Sequence, residues 1–372
     1  MAVTTRTPRG AVVALSIVGA IPGALHAADG SDPVARVRAE ISHLRHALEE
    51  KPIEGTGREG LSSTVGAALD ASDDALDAGR LYLSLEALRR ADGVIHGAWF
   101  ASEKEATMAA GLPAFESEWA ETVRTLETGG RTQGDRRWRR SRAAIRALAE
   151  AAEGRIGPLL EGARGFAVAT GPKDGLFYMG QARGEAEFAA VCASLTFGDA
   201  VERYPLRSML PELQRLQEKA TAAFAPPRSI ELHDRFIALN STLKAGFELD
   251  ASQSYAGSAY QYLEATRHYA MLDAPPLDEP AQSRVREDLV TARARIDASK
   301  RDESLAQLFL ERAASQVAHP DGSVPTADEW RSARVILDRV MPAYFAARMP
   351  VATPKGTSGR TVRMTLVRWP YT

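Results

Sequence analysis

Cysteine, aromatic residues and long apolar runs are all scarce in this 372-residue chain. A lone Cys192 excludes a disulfide scaffold, and a free thiol of this kind is expected to be buried. Only the N-terminus carries a long apolar stretch, which excludes a polytopic membrane protein. Neither charge sign dominates: 46 basic residues against 48 acidic ones give a formal net charge of −2. That balance argues against a general nucleic-acid binder, and 45% hydrophobic content argues against a disordered chain. A GxSxG elbow, an HExxH helix, a phosphate-binding P-loop and a Cys/His ligand cluster are all missing, so no short motif assigns a chemistry. What is left is a globular protein of one large or two ordinary domains.

Residues 1–27 read as a secretory signal. Arg6 and Arg9 form the basic start, residues 11–21 an apolar run too short for a stable membrane anchor, and the small residues ending at Ala27 or Ala28 a cleavage site. The expected location is therefore the periplasm or the outside of the cell, with no integral membrane segment after cleavage.

The rest of the chain reads as a series of amphipathic helices. The first spans 33–50, opened by Ser31, Asp32 and Pro33, with Val34, Val37, Ile41, Leu44 and Leu48 at helical spacing. Others are expected over about 60–78, 80–106, 114–128, 135–153, 174–197, 207–224, 228–249, 251–272, 279–298, 301–318 and 326–347. Strand-like alternation is confined to 361–368 and, more weakly, 165–170. The fold class is all-α, a duplicated helical bundle or array of helical hairpins with at most one short strand pair near the C-terminus.

An internal similarity supports the duplication. Residues 61–91 align without gaps to 239–269, with Tyr82/Tyr260, Leu85/Leu263, Glu86/Glu264 and Arg89/Arg267 among 11 identities in 31 positions. The expected plan is a first half over 28–200, a second over 205–349, and a linker and strand-like tail over 350–372. The matching tyrosine–leucine seams should face inward, and Glu86 and Arg89 can pair at i, i+3. The segment 79–91 resembles the second helix of a tetratricopeptide repeat, but the full period is absent.

Several groups of residues are candidates for chemistry. Asp70, Asp73, Asp74 and Asp77 lie on one helical face, and 73–77 has the DDxxD spacing. This is similar to the Mg²⁺-binding motif of class I isoprenoid synthases, as are the chain length and helical class, and implies a Mg²⁺-bridged diphosphate. The copy at 251–255 instead carries Ala251, Ser252 and Tyr255, and Lys244 stands where a second metal motif needs a hydroxyl. Arg136, Arg139 and Arg140 flank Trp138 in an Arg-rich segment expected to be a basic amphipathic helix, with Trp138, Ile145 and Leu148 on one face. Glu40, His43 and His46 have metal-ligand spacing without a second copy. Gly55, Gly57 and Gly60 match GxGxxG but follow a helix, so they read as a loop. Gly180 and Gly184 read as close helix packing.

The functional expectation is an exported binding or scaffold protein that holds a protein or peptide partner in grooves between its halves, with no catalytic residue and no cofactor. The alternatives are Mg²⁺-dependent action on a phosphorylated or diphosphate ligand at Asp70–Asp77, and metal or haem binding within a helical bundle.

Overall fold

The structure is a computed structural model. It describes residues 32–348 apart from 54–58, 131–137, 139, 199–201, 205 and 320–321. The expected signal, the tail, Arg136, Arg139, Gly55 and Gly57 lie outside the described residues.

The described residues are all-α. Their helices are α1 (Pro33–Glu50), α2 (Glu59–Asp77), α3 (Leu81–Lys104), α4 (Leu112–Gly130), α5 (Ala143–Ala169), α6 (Pro172–Ser194), α7 (Leu210–Ala223), the single turn α8 (Arg228–Glu231), α9 (His233–Ala251), α10 (Tyr255–Met271), α11 (Glu279–Asp297), α12 (Ser304–Val317), α13 (Ala327–Val335) and α14 (Met341–Ala347). A π-helical turn, Ile336–Val340, joins the last two. Residues 165–169, expected as a possible strand, instead finish α5: Thr170 N–H bonds the Phe166 carbonyl, and the Phe166 ring stacks on Tyr178 at 4.6 Å. Cys192 is fully buried, and burial pushes its thiol far above the usual range.

Local signals start three helices. Asp32 accepts from Val34 N–H ahead of Pro33, Asp278 accepts from Ala281 N–H ahead of Pro280, and Thr326 with Glu329 forms a capping box. By contrast, α3, α5 and α10 make no hydrogen bond to a capping side chain of their own. Their first N–H groups are met from far along the chain. Glu311, the eighth residue of α12, accepts from Tyr82 and Leu83 N–H at 2.9 and 3.0 Å. Glu150, the eighth residue of α5, accepts from Gly257 N–H at 2.8 Å. Ala143 and Ala144 donate to Asp302 and Ser304. These last two bonds fix the start of α5 at Ala143. Arg140 and Ser141 therefore precede the helix, and Trp138 does not share a helical face with Ile145 and Leu148 as expected.

The two hairpins α2–α3 and α9–α10 have matching geometry. Helices α2 and α9 each span 19 residues and start at 59 and 233, while α3 and α10 start at 81 and 255, a separation of 174 throughout. Positive-φ residues close both turns, Gly79 and Gln253. Across the first hairpin Ser72 Oγ bonds the Ser84 carbonyl; across the second, Ser258 Oγ bonds the Gly246 carbonyl. The gap-free alignment at 178 is thus one helical turn away from the geometric register. A four-residue shift nearly preserves a helix face, so Tyr82 and Tyr260 are both buried although they occupy different levels of their helices.

One hydrophobic core runs through both expected halves, uniting Leu85, Leu148, Leu263, Phe309, Trp138 and Trp330. Smaller clusters form around Phe115 and Leu176 and around Leu213 and Phe236. Helices α3 and α6 approach through facing glycines: a Cβ on Gly180 would sit 2.3 Å from the His96 carbonyl oxygen and 2.7 Å from Gly97 Cα. Because both obstacles are backbone, Gly180→Ala must push α6 off α3, and a destabilisation of about 1–3 kcal/mol is expected by urea unfolding. Gly157→Ala in α5, which meets nothing within 4 Å, should be neutral or stabilising in the same assay.

Candidate functional site

An open cleft of about 1250 Å³ lies among the C-terminal helices. Its floor is the C-terminal half of α10, with Tyr262, Thr266 and Tyr269. One wall is α7, with Glu212, Arg215 and Lys219; the other is Arg284 of α11 with Arg331, Arg334, Asp338 and Arg339 of α13 and the π turn. Pro275 and Pro276 close one end.

Three local features shape it. Pro342 has no N–H to continue the α ladder, and Met341 N–H reaches back five residues to the Ile336 carbonyl, which widens the turn carrying Asp338 and Arg339 into the cleft. Arg207 grips Glu212 with two bonds, at 2.7 and 3.2 Å, and donates to the Ala347 carbonyl at 3.0 Å, tying α7 to the end of α14. Arg334 spans Asp288 and Asp338 at 2.7 and 2.6 Å, bracing α11 against the π turn. Lys219, Arg284 and Arg339 are exposed and take part in no ion pair among the described residues. The cleft therefore combines fixed ion pairs with three available cations. The sequence carries no sign of it because its residues are scattered from Arg207 to Ala347 and form no local motif.

A second cavity of about 100 Å³ lies where the two expected halves meet. Trp138, Ala143, Leu206, Met209, Ala259, Leu263 and Leu305 make it mostly apolar. Trp138 is only 4% exposed, so it belongs to this wall and to the core and is not presented on the surface beside Arg140, which is exposed.

The acidic stripe is faced by α1. Asp73 pairs with Arg45 and Arg38, Asp70 with Arg45 at 2.8 Å, and Asp77 with Arg38 at 2.7 Å; Asp74 is exposed. Among the described residues no group of three or more His, Cys, Asp or Glu side chains is placed to hold a metal ion. His46 lies beside Glu49 and Glu50 on its own helix.

Two buried ionic clusters tie helices together. Arg312 of α12 pairs with both Glu86 of α3 and Glu264 of α10, and Tyr260 donates to Glu86 at 2.8 Å. Arg267 also pairs with Glu264, at 3.1 Å, as the i, i+3 spacing allows. The equivalent expectation for Glu86 and Arg89 fails: Arg89 turns to Glu185 at 2.7 Å, because a buried arginine must find a carboxylate and Glu86 is already held by Arg312. Burial opposes the Glu264 carboxylate, but Arg312 and Arg267 outweigh it and lower its pKa to about 2.

In the second cluster His96 of α3 contacts Asp92 and Glu187 of α6, both at 3.1 Å, beside Glu40 and His43 of α1. Burial disfavours the imidazolium, yet the hydrogen bonds to the two carboxylates push its pKa up to about 10. The folded pKa lies above the unfolded value, so the contribution of His96 is complete below the ordinary histidine range and is lost as pH rises through about 10. His96→Gln should remove that alkaline decline from a plot of unfolding free energy against pH; an unchanged slope would contradict it. Neither a family model nor a curated protein nor a solved structure matches this chain.

Proposed function

We propose that this is an exported binding protein whose large cleft takes an extended acidic segment of a partner protein. The observation that carries the reading is the trio Lys219, Arg284 and Arg339, which line one open cleft and have no acidic partner among the described residues. Cations left unpaired in a concave wall focus positive potential and draw in anionic groups. The interspersed Glu212 and Asp338 offer acceptors for the donors of a peptide backbone, and Tyr262 and Tyr269 supply amphipathic contact area. The basic start, apolar run and small-residue end of 1–27 support export. Among the described residues no helix is long and apolar enough to cross a membrane.

Fluorescence anisotropy with labelled polyglutamate tests the reading. Binding should weaken at least about tenfold in the triple variant Lys219→Glu/Arg284→Glu/Arg339→Glu and should fall as salt screens the charges. Equal binding by the variant, or preference for polylysine, would reject it.

A further inference from the structure

The cleft and the small apolar cavity share a wall: Arg207, Tyr262 and Ala347 line both. The two spaces differ in chemistry. Of the arginines beside the small cavity, Arg203 donates to the Trp138 and Ser141 carbonyls at 3.1 and 2.9 Å, and Arg348 pairs with Glu303. Arg146 is held by Glu150 at 2.6 Å, and Arg207 by Glu212 and Ala347. These guanidiniums are already engaged, and what they frame is apolar surface from Met209, Leu263 and Leu305.

Size separates the two as well. Pockets that enclose a whole small molecule run to about 300–1,000 Å³. At about 100 Å³ the small cavity is well below that, on the scale of one aliphatic or aromatic side chain. At about 1250 Å³ the cleft is larger than one small molecule needs. Joined at Tyr262, they match an extended chain that sends a single apolar group sideways into a socket while its charged groups lie along the open cleft. Anchoring of this kind, one buried side chain surrounded by a polar rim, is how peptide interfaces concentrate their affinity.

We infer that the two spaces form one binding surface for an acidic peptide segment carrying a single leucine- or phenylalanine-like anchor, the anchor entering the socket bounded by Ala259, Leu263 and Leu305. The inference rests on the acidic-segment reading of the cleft and adds the anchor to it. An acyl chain is the poorer fit, because a lipid tail needs a long apolar channel and the socket holds only about 100 Å³.

Two labelled peptides of alternating Glu and Gly, one with a central Leu and one with a central Ala, make the test against the full chain. The Leu peptide should bind about tenfold more tightly, the range expected of a buried anchor. Ala259→Trp fills the socket and should abolish the difference between the two peptides; Ala259→Met, a smaller filling, should reduce it if the Trp variant does not fold. Equal binding of both peptides that still depends on Lys219, Arg284 and Arg339 would overturn the anchor and leave the cleft reading standing. No binding of either peptide would overturn both. Displacement of the Ala peptide by dodecyl phosphate, lost in Ala259→Trp and without any preference for Leu, would replace the peptide anchor by an amphiphile tail.

Discussion

Glu150 and Glu311 each finish a helix that begins far away in the chain. Glu311 supplies the acceptor for the first N–H groups of α3 from 229 and 228 residues away, and Glu150 does the same for α10 across 107 residues. An orphan helix N-terminus is partly positive, so a carboxylate is a strong partner for it. Both carboxylates are buried, and burial lifts that of Glu311 to about 7 despite the bonds it accepts from Leu83, Gln307 and Tyr82. That charge penalty is offset only while both helices stay in place. The exchange is reciprocal: the eighth residue of α5 serves one hairpin and the eighth residue of α12 the other. Neither α3 nor α10 has its first turn satisfied without the carboxylate from α12 or α5, in keeping with one core that unites all four helices.

The same cross-chain logic shapes the small apolar cavity. The segment 302–304 holds the start of α5 through Asp302 and Ser304, and Glu303 accepts from Tyr204 and Tyr344 at 3.1 and 2.8 Å and pairs with Arg348. These bonds draw the starts of α5 and α12 and the end of α14 together beside the apolar socket. On the other side of Tyr262 the π turn between α13 and α14 carries Asp338 and Arg339 into the cleft lining, and the ion pairs of Arg207 and Arg334 tie α7 to the end of α14 and α11 to the π turn.

How legible all this was depended on the sequence distance of the partners. The all-α class and most helix bounds follow from periodicity and from local caps such as Asp32 with Pro33. Helix α5 differs from the expected 135–153 because its start is set by Asp302 and Ser304, and it runs on through Pro158 to Ala169. Residues 61–91 and 239–269 fall on the two hairpins, but the alignment's offset of 178 is one helical turn from the 174-residue spacing of the helix starts, since faces and not identities repeat in a helix. Tyr260, Glu86 and Glu264 stood out in the alignment, yet Arg312, which joins the two carboxylates, carried no signal at all. The cleft was invisible for the same reason.

The reciprocal capping can be measured amide by amide. Hydrogen exchange on Glu311→Ala should show lost protection at Tyr82 and Leu83, at the start of α3, while Gly257 is comparatively spared. Glu150→Ala should give the opposite pattern, with Gly257 exposed and α3 retained. Unchanged protection at these amides in both variants would contradict the account, because each first turn would then be stable without the carboxylate from the other half.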